Sequence, residues 1–127
     1  MDLEADIKAE ITFLTSAEGG RTRPTYSGYR PAHLVKDNYL TTGMHDYEKD
    51  EVQPGETVIG TIRFLNPEAY PKSLWLEKII PIQEGSRVVG FAKVIEIYND
   101  ILRNDGLSTL NQTTFLRACS RYWTGVR

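Results

Sequence analysis

The alternation IKAEITF at residues 7–13 constrains this chain more than any other feature. Ile7, Ala9, Ile11 and Phe13 fall on one side, Lys8, Glu10 and Thr12 on the other. Successive side chains of an extended strand point to opposite faces, so a period of two means a strand with one face in an apolar core. EGG at 18–20 ends this run. Pro31 lacks an amide hydrogen and suits a strand start or edge. Residues 33–40 can form the next strand. Residues 43–56 are acidic and long for a hairpin loop, and read as a surface excursion. Pro54-Gly55 reads as a type II turn, because Pro fixes one dihedral and Gly supplies the positive one. TVIGTIRFL (57–65) is β-rich, and Asn66-Pro67 stops it. Residues 73–82 and 88–98 are two more apolar runs around a hairpin turn, EGSR, at 84–87. At least five strands at short spacing predict an all-β chain, a small barrel or sandwich.

The length, 127 residues, fits one domain with a real core. No apolar run approaches the roughly 18 residues of a membrane helix. The acidic N-terminus, MDLEADIKAE, does not read as a secretory signal. The one cysteine, Cys119, excludes an internal disulfide and is compatible with a cytoplasmic address. Net charge is −2 but uneven. Residues 1–100 hold 11 Lys and Arg against 16 Asp and Glu, a net of −5, whereas 101–127 hold four Arg and one Asp, a net of +3. A strongly basic nucleic-acid binder has a different balance. From Ser108 onward, Leu110, Thr114 and Ala118 share one face of a possible short C-terminal helix. The expected division is a barrel over 1–98 and a basic extension over 99–127.

No catalytic pattern stands out. Gly55 and Gly60 have the spacing of a phosphate loop, but Thr61-Ile62 follows where a lysine is needed. HDYEKDE (45–51) lacks the glycine and distant glutamate of a calcium loop. His33 and His45 have no zinc-type spacing, and His33 reads as a structural histidine in a strand. Cys119, Ser86 and Ser120 lie in no nucleophile pattern. No cofactor, metal or catalytic residue is expected.

One stretch stands apart. EGGRTRPTYSGYRP (18–31) holds three glycines, two prolines, three arginines and two tyrosines. Together with AEITFL (9–14), QPGETV (53–58), FLN before Pro67, and EGSRVVG (84–90), its EGGR and GYRP pieces occur in the order of a known family. Residues 5–98 resemble the third, C-terminal β-barrel domain of bacterial elongation factor Tu. The resemblance implies a six-stranded antiparallel barrel. The 127 residues hold no counterpart of that family's GTPase domain, so no GTP binding is expected. In the family this barrel contacts the T-stem backbone of aminoacyl-tRNA, and it docks on proteins. Arg21 is retained, Thr22 stands where a histidine is usual, Ala32 replaces a glutamine, a threonine is kept near Thr41, Asn66 replaces a lysine, and Gly85 keeps its turn.

The expected RNA- or partner-binding positions are Arg21, Thr22, Arg30, Thr41 and Gly85. Arg21 has two possible jobs, an outward pairing with phosphate or carboxylate and a salt bridge that holds its own corner. Two functions stay open. One is a non-enzymatic module that binds a protein partner, in a translation-factor-like, competitor or immunity-type role. The other is a translation-associated accessory that binds tRNA, weakly, because two hydrogen-bonding side chains and one charge are gone and the body is acidic.

Overall fold

The computed structural model describes residues 4–104. The possible helix from Ser108 and most of the basic extension lie outside the described residues. Eight strands occur in chain order: β1 Ile7–Phe13, β2 Thr25–Tyr26, β3 Ala32–Lys36, β4 Tyr39–Tyr47, β5 Glu51–Val52, β6 Thr57–Phe64, β7 Ile79–Glu84 and β8 Arg87–Ile97. Six of them close an antiparallel barrel in the order β1-β6-β4-β3-β7-β8, and β8 pairs with β1 to seal it. Closure leaves none of these six with an unpaired edge. β2 and β5 form a separate two-stranded ribbon.

The alternation of β1 holds to the letter: Ile7, Ala9 and Ile11 are fully buried and Phe13 nearly so. Ile62 and Phe64 from β6, Ile80 and Ile82 from β7, and Val89, Ala92 and Val94 from β8 meet them in one core. Burying each such aliphatic side chain stabilises the fold by about 1.5–3 kcal/mol. β8 is apolar on both faces over 88–92 because Val88 and Phe91 join Leu14 in a second cluster outside the barrel, with Ile79 packed against it.

The turns follow their residues. Glu56 N donates to Gln53 O at 3.0 Å across Pro54-Gly55, and Gly55 has φ 90°, as a type II turn requires. Gly85 has φ 62° in the two-residue link between Glu84 and Arg87. Asn66, also left-handed at φ 58°, ends β6.

Three expectations need correction. Residues 33–40 are not one strand but a hairpin, β3 to β4, turning where Asn38 takes φ 60°. The stretch 43–56 is not wholly an excursion, because its first five residues belong to β4 and only the rest is a loop with β5. The run 73–82 is strand only from Ile79. Its first half is an irregular cap in which Leu74 pairs with Arg103.

That cap draws in residues past 98. Leu102 is fully buried, Leu74 N donates to Leu102 O at 2.9 Å, and Asn104 N donates to Leu74 O at 2.8 Å. Tyr70 and Leu74 close the same end of the core. Lys78, 1% exposed, sits over the Trp75 ring at 4.3 Å, and its ammonium donates to the carbonyls of Val35 and Ser73. Two carbonyls and a π face are what a buried cation needs.

Candidate functional site

Strand β4 separates two of the three regions of interest. Thr41, Gly43, His45 and Tyr47 point into the barrel, while Leu40, Thr42 and Asp46 face out with Met44 half-buried between them.

Inside, the two histidines that look isolated in sequence meet. His33 Nε2 and His45 Nε2 are 2.8 Å apart, and His45 Nδ1 is 2.8 Å from the Tyr47 hydroxyl. The His33 Nδ1 lies 3.4 Å from the Thr41 carbonyl. A carbonyl only accepts, so His33 Nδ1 carries a hydrogen and its Nε2 accepts. His45 therefore donates from Nε2 and accepts at Nδ1 from the Tyr47 O–H. One proton per ring satisfies the whole chain. A further proton on His33 Nε2 sets it against the His45 N–H, and one on His45 Nδ1 takes away the acceptor of the Tyr47 O–H. Burial pushes His33 down to about 4 and, with the neighbouring His33, holds His45 well below the usual histidine range. Burial also raises Tyr47 to about 12, so it stays a donor. Gly43 makes the arrangement possible: a Cβ there would lie 2.8 Å from both His33 Cε1 and Ile62 Cγ2. Among the described residues, no group of three or more His, Cys, Asp or Glu is placed to hold a metal ion.

The first surface region is the corner built by residues 18–24 and the β7–β8 hairpin. Thr15 and Glu18 form a capping box, and Gly20 N donates to Thr15 O at 2.9 Å. A Cβ on Gly20 would sit 2.4 Å from Leu14 O, so only glycine brings the chain this close. Arg21 leaves this turn toward the protein. Its guanidinium pairs with Glu84, lies 5.0 Å from the Tyr29 ring centroid, and donates from Nε to Arg23 O at 3.3 Å and from Nη2 to Pro24 O at 3.4 Å. Tyr29 donates to the same Glu84 oxygen at 2.5 Å, and Arg87 approaches the other at 3.5 Å. Partial burial pushes Glu84 up, but the bonds from Tyr29 and Arg21 and the field of the arginines outweigh it and hold this carboxyl below its usual range. Burial and the Glu84 charge raise Tyr29 far above the usual phenol. A shallow cavity of about 160 Å³ remains, lined by Arg21, Thr22, Arg23, Glu84 and Arg87. Three guanidinia against one carboxylate leave it cationic.

The second surface region lies on the outer face of β4 and β6. A cavity of about 160 Å³ is lined by Arg30, Thr42, Met44, Arg63 and Leu65. Arg63 stands opposite Met44 in the β4–β6 register, and Leu65 N donates to Thr42 O at 2.8 Å. On the other side of β4, His45 N donates to Tyr29 O at 2.9 Å and Gly43 N to Pro31 O at 3.1 Å, which sets Arg30 beside Met44.

The five expected positions thus separate. Arg21 and Thr22 share the corner cavity, and Gly85 lies in the hairpin that supplies Glu84 and Arg87 to it. Arg30 belongs to the second cavity. Thr41 is buried, with its hydroxyl donating to Leu65 O at 3.0 Å and 3.1 Å from the Tyr70 hydroxyl. Arg23, Arg87 and Arg63 escaped the sequence reading. Arg87 follows from the EGSR hairpin, and Arg63 from its odd place in the alternation of 57–65. The chain matches no model of a known protein family.

Proposed function

We propose that this barrel is a non-enzymatic binding module that docks a protein partner through its arginine-lined surface. The observation that carries this is the corner cavity, where Arg21 and Tyr29 fix Glu84 and leave Thr22, Arg23 and Arg87 at the surface of an otherwise acidic body. A guanidinium held on a rigid hairpin is well suited to a carboxylate or phosphate, because little freedom is lost on pairing. The resemblance of residues 5–98 to the third domain of elongation factor Tu supports a role beside translation factors. A barrel of that kind is suited to compete for what the factor's own barrel binds.

Affinity capture from the native lysate tests the reading, with the wild-type chain and an Arg23→Glu, Arg87→Glu variant as baits. The expected result is a protein retained after RNase treatment by the wild type and lost by the variant. The same cationic cavity also fits an RNA phosphate, which favours the tRNA-binding accessory as the second reading. Retention of RNA alone, with affinity falling steeply as salt rises, decides for that alternative.

A further inference from the structure

The second cavity has a charge pattern that nothing within the described residues answers. Arg30 is exposed and makes no hydrogen bond or ion pair among the described residues. Arg63 Nε is buried without a partner, and Nη2 reaches only the Met44 sulfur at 3.8 Å. No acid lines the cavity. Tyr29 and Pro31 bond to β4 as a neighbouring strand would, and such neighbours are roughly 4.8 Å apart, so Arg30, Met44 and Arg63 stand in a row about 10 Å long. Two like charges set this close repel, and a buried unpaired N–H carries a desolvation penalty. An anion between the two forks relieves both.

The rim says what carries the anion. Leu65 is 66% exposed beside the cavity, and Leu40, 47% exposed, lies on the same outer face of β4 as Thr42 and Met44. No aromatic ring lines the cavity to stack a base. An arginine pair with an aliphatic margin matches a carboxylate next to a large apolar side chain. We propose that Arg30 and Arg63 form a fork for a partner's aspartate or glutamate, and that the apolar neighbour of that acid lies on Leu65 and Leu40. This rests on the reading of the barrel as a protein-binding module and names the partner's chemistry: an acidic segment with interspersed aliphatic residues.

The test uses the full chain and a fluorescein-labelled peptide of alternating aspartate and leucine, followed by anisotropy. The same peptide with asparagine for aspartate and an oligouridylate are the comparison probes. Binding of the aspartate peptide should weaken about tenfold in Arg30→Gln, in Arg63→Gln and on replacing aspartate by asparagine, the loss of a charged hydrogen bond. Lys93→Gln, the same charge change on β8, should leave it unchanged. The Arg63 Nε–H resonance of the wild type should shift on adding the aspartate peptide. This readout stands even if Arg63→Gln folds poorly. Equal binding by wild type and Arg30→Gln, or a still Arg63 resonance, overturns the fork. So does oligouridylate binding that needs the two arginines while the peptide goes unbound. A lysate partner retained by Arg30→Gln as well as by wild type also overturns the fork and leaves the module reading standing.

Discussion

The two faces of β4 obey opposite rules. Its inner face carries Thr41, His45 and Tyr47, each bonded to a partner within the barrel, with Gly43 clearing the space. Its outer face carries Met44 between two arginines, neither of which meets a carboxylate among the described residues, with Arg63 Nε unpartnered and Nη2 reaching only the Met44 sulfur. The inner polar groups are buried and satisfied, which fixes one packing. The outer ones lack a counter-charge among the described residues, as the proposed docking surface requires. Arg21 and Arg30, nine positions apart, repeat the contrast: the first turns in to Glu84, the second faces solvent.

The inner face should break hardest. His45→Ala removes the middle of the chain, orphans His33 Nε2 and the Tyr47 hydroxyl, and opens a cavity. A loss of about 3–5 kcal/mol is expected in urea denaturation. Gly43→Val, which drives side-chain atoms into His33 and Ile62, should destabilise by about 2–3 kcal/mol in the same assay. Neither substitution touches the outer face, so affinity measured well below the melting midpoint should survive wherever the fold does.

Acid should act on the same face next. An unfolded histidine titrates near 6.5, whereas His33 in the barrel is pushed down to about 4. Above pH 6.5 both states are neutral and stability is full. As pH falls from 6.5 toward 4 the unfolded chain takes protons that the folded one refuses, so stability falls by about 3 kcal/mol for His33 alone. His45 is shifted in the same direction. Glu84 is depressed instead, so its share is present above its unfolded value of 4.5 and fades at lower pH. Melting midpoints between pH 7 and 5 therefore report the histidines, and a flat profile over that span would contradict the neutral pair.

The corner comes third. Arg21→Gln removes a partly buried ion pair and a cation–π contact, and a loss of about 1–2 kcal/mol is expected by thermal melting. Arg30→Gln, the smallest structural change, should shift stability by less than about 0.5 kcal/mol.

The sequence made the barrel legible where one face is plainly apolar. β1 and β6 show their period, and Pro54-Gly55 and Gly85 mark their turns. β4 was obscured because its inward residues are Thr41, Gly43 and His45, which carry no apolar stripe, and because Asp46 and Glu48 give the stretch a loop-like charge. The Asp37-Asn38 pair was the missed turn signal, since asparagine tolerates the left-handed region. The histidine pair was invisible to spacing: the register sets His33 against Thr41, and only the absent side chain of Gly43 lets its ring reach His45. Arg21 and Arg30 stood out through EGGR and GYRP, but their opposite directions depend on where Glu84 arrives from the β7–β8 hairpin. Arg63 needed the β4–β6 register to appear beside Met44.

The affinity of Arg30→Gln for the partner captured by the wild-type chain tests the separation of the two faces most directly, measured alongside its melting midpoint. Affinity should fall about tenfold while the midpoint stays where it is in the wild type. Unchanged affinity, or a loss of binding that tracks a falling midpoint, would contradict a docking surface built on the outer arginines.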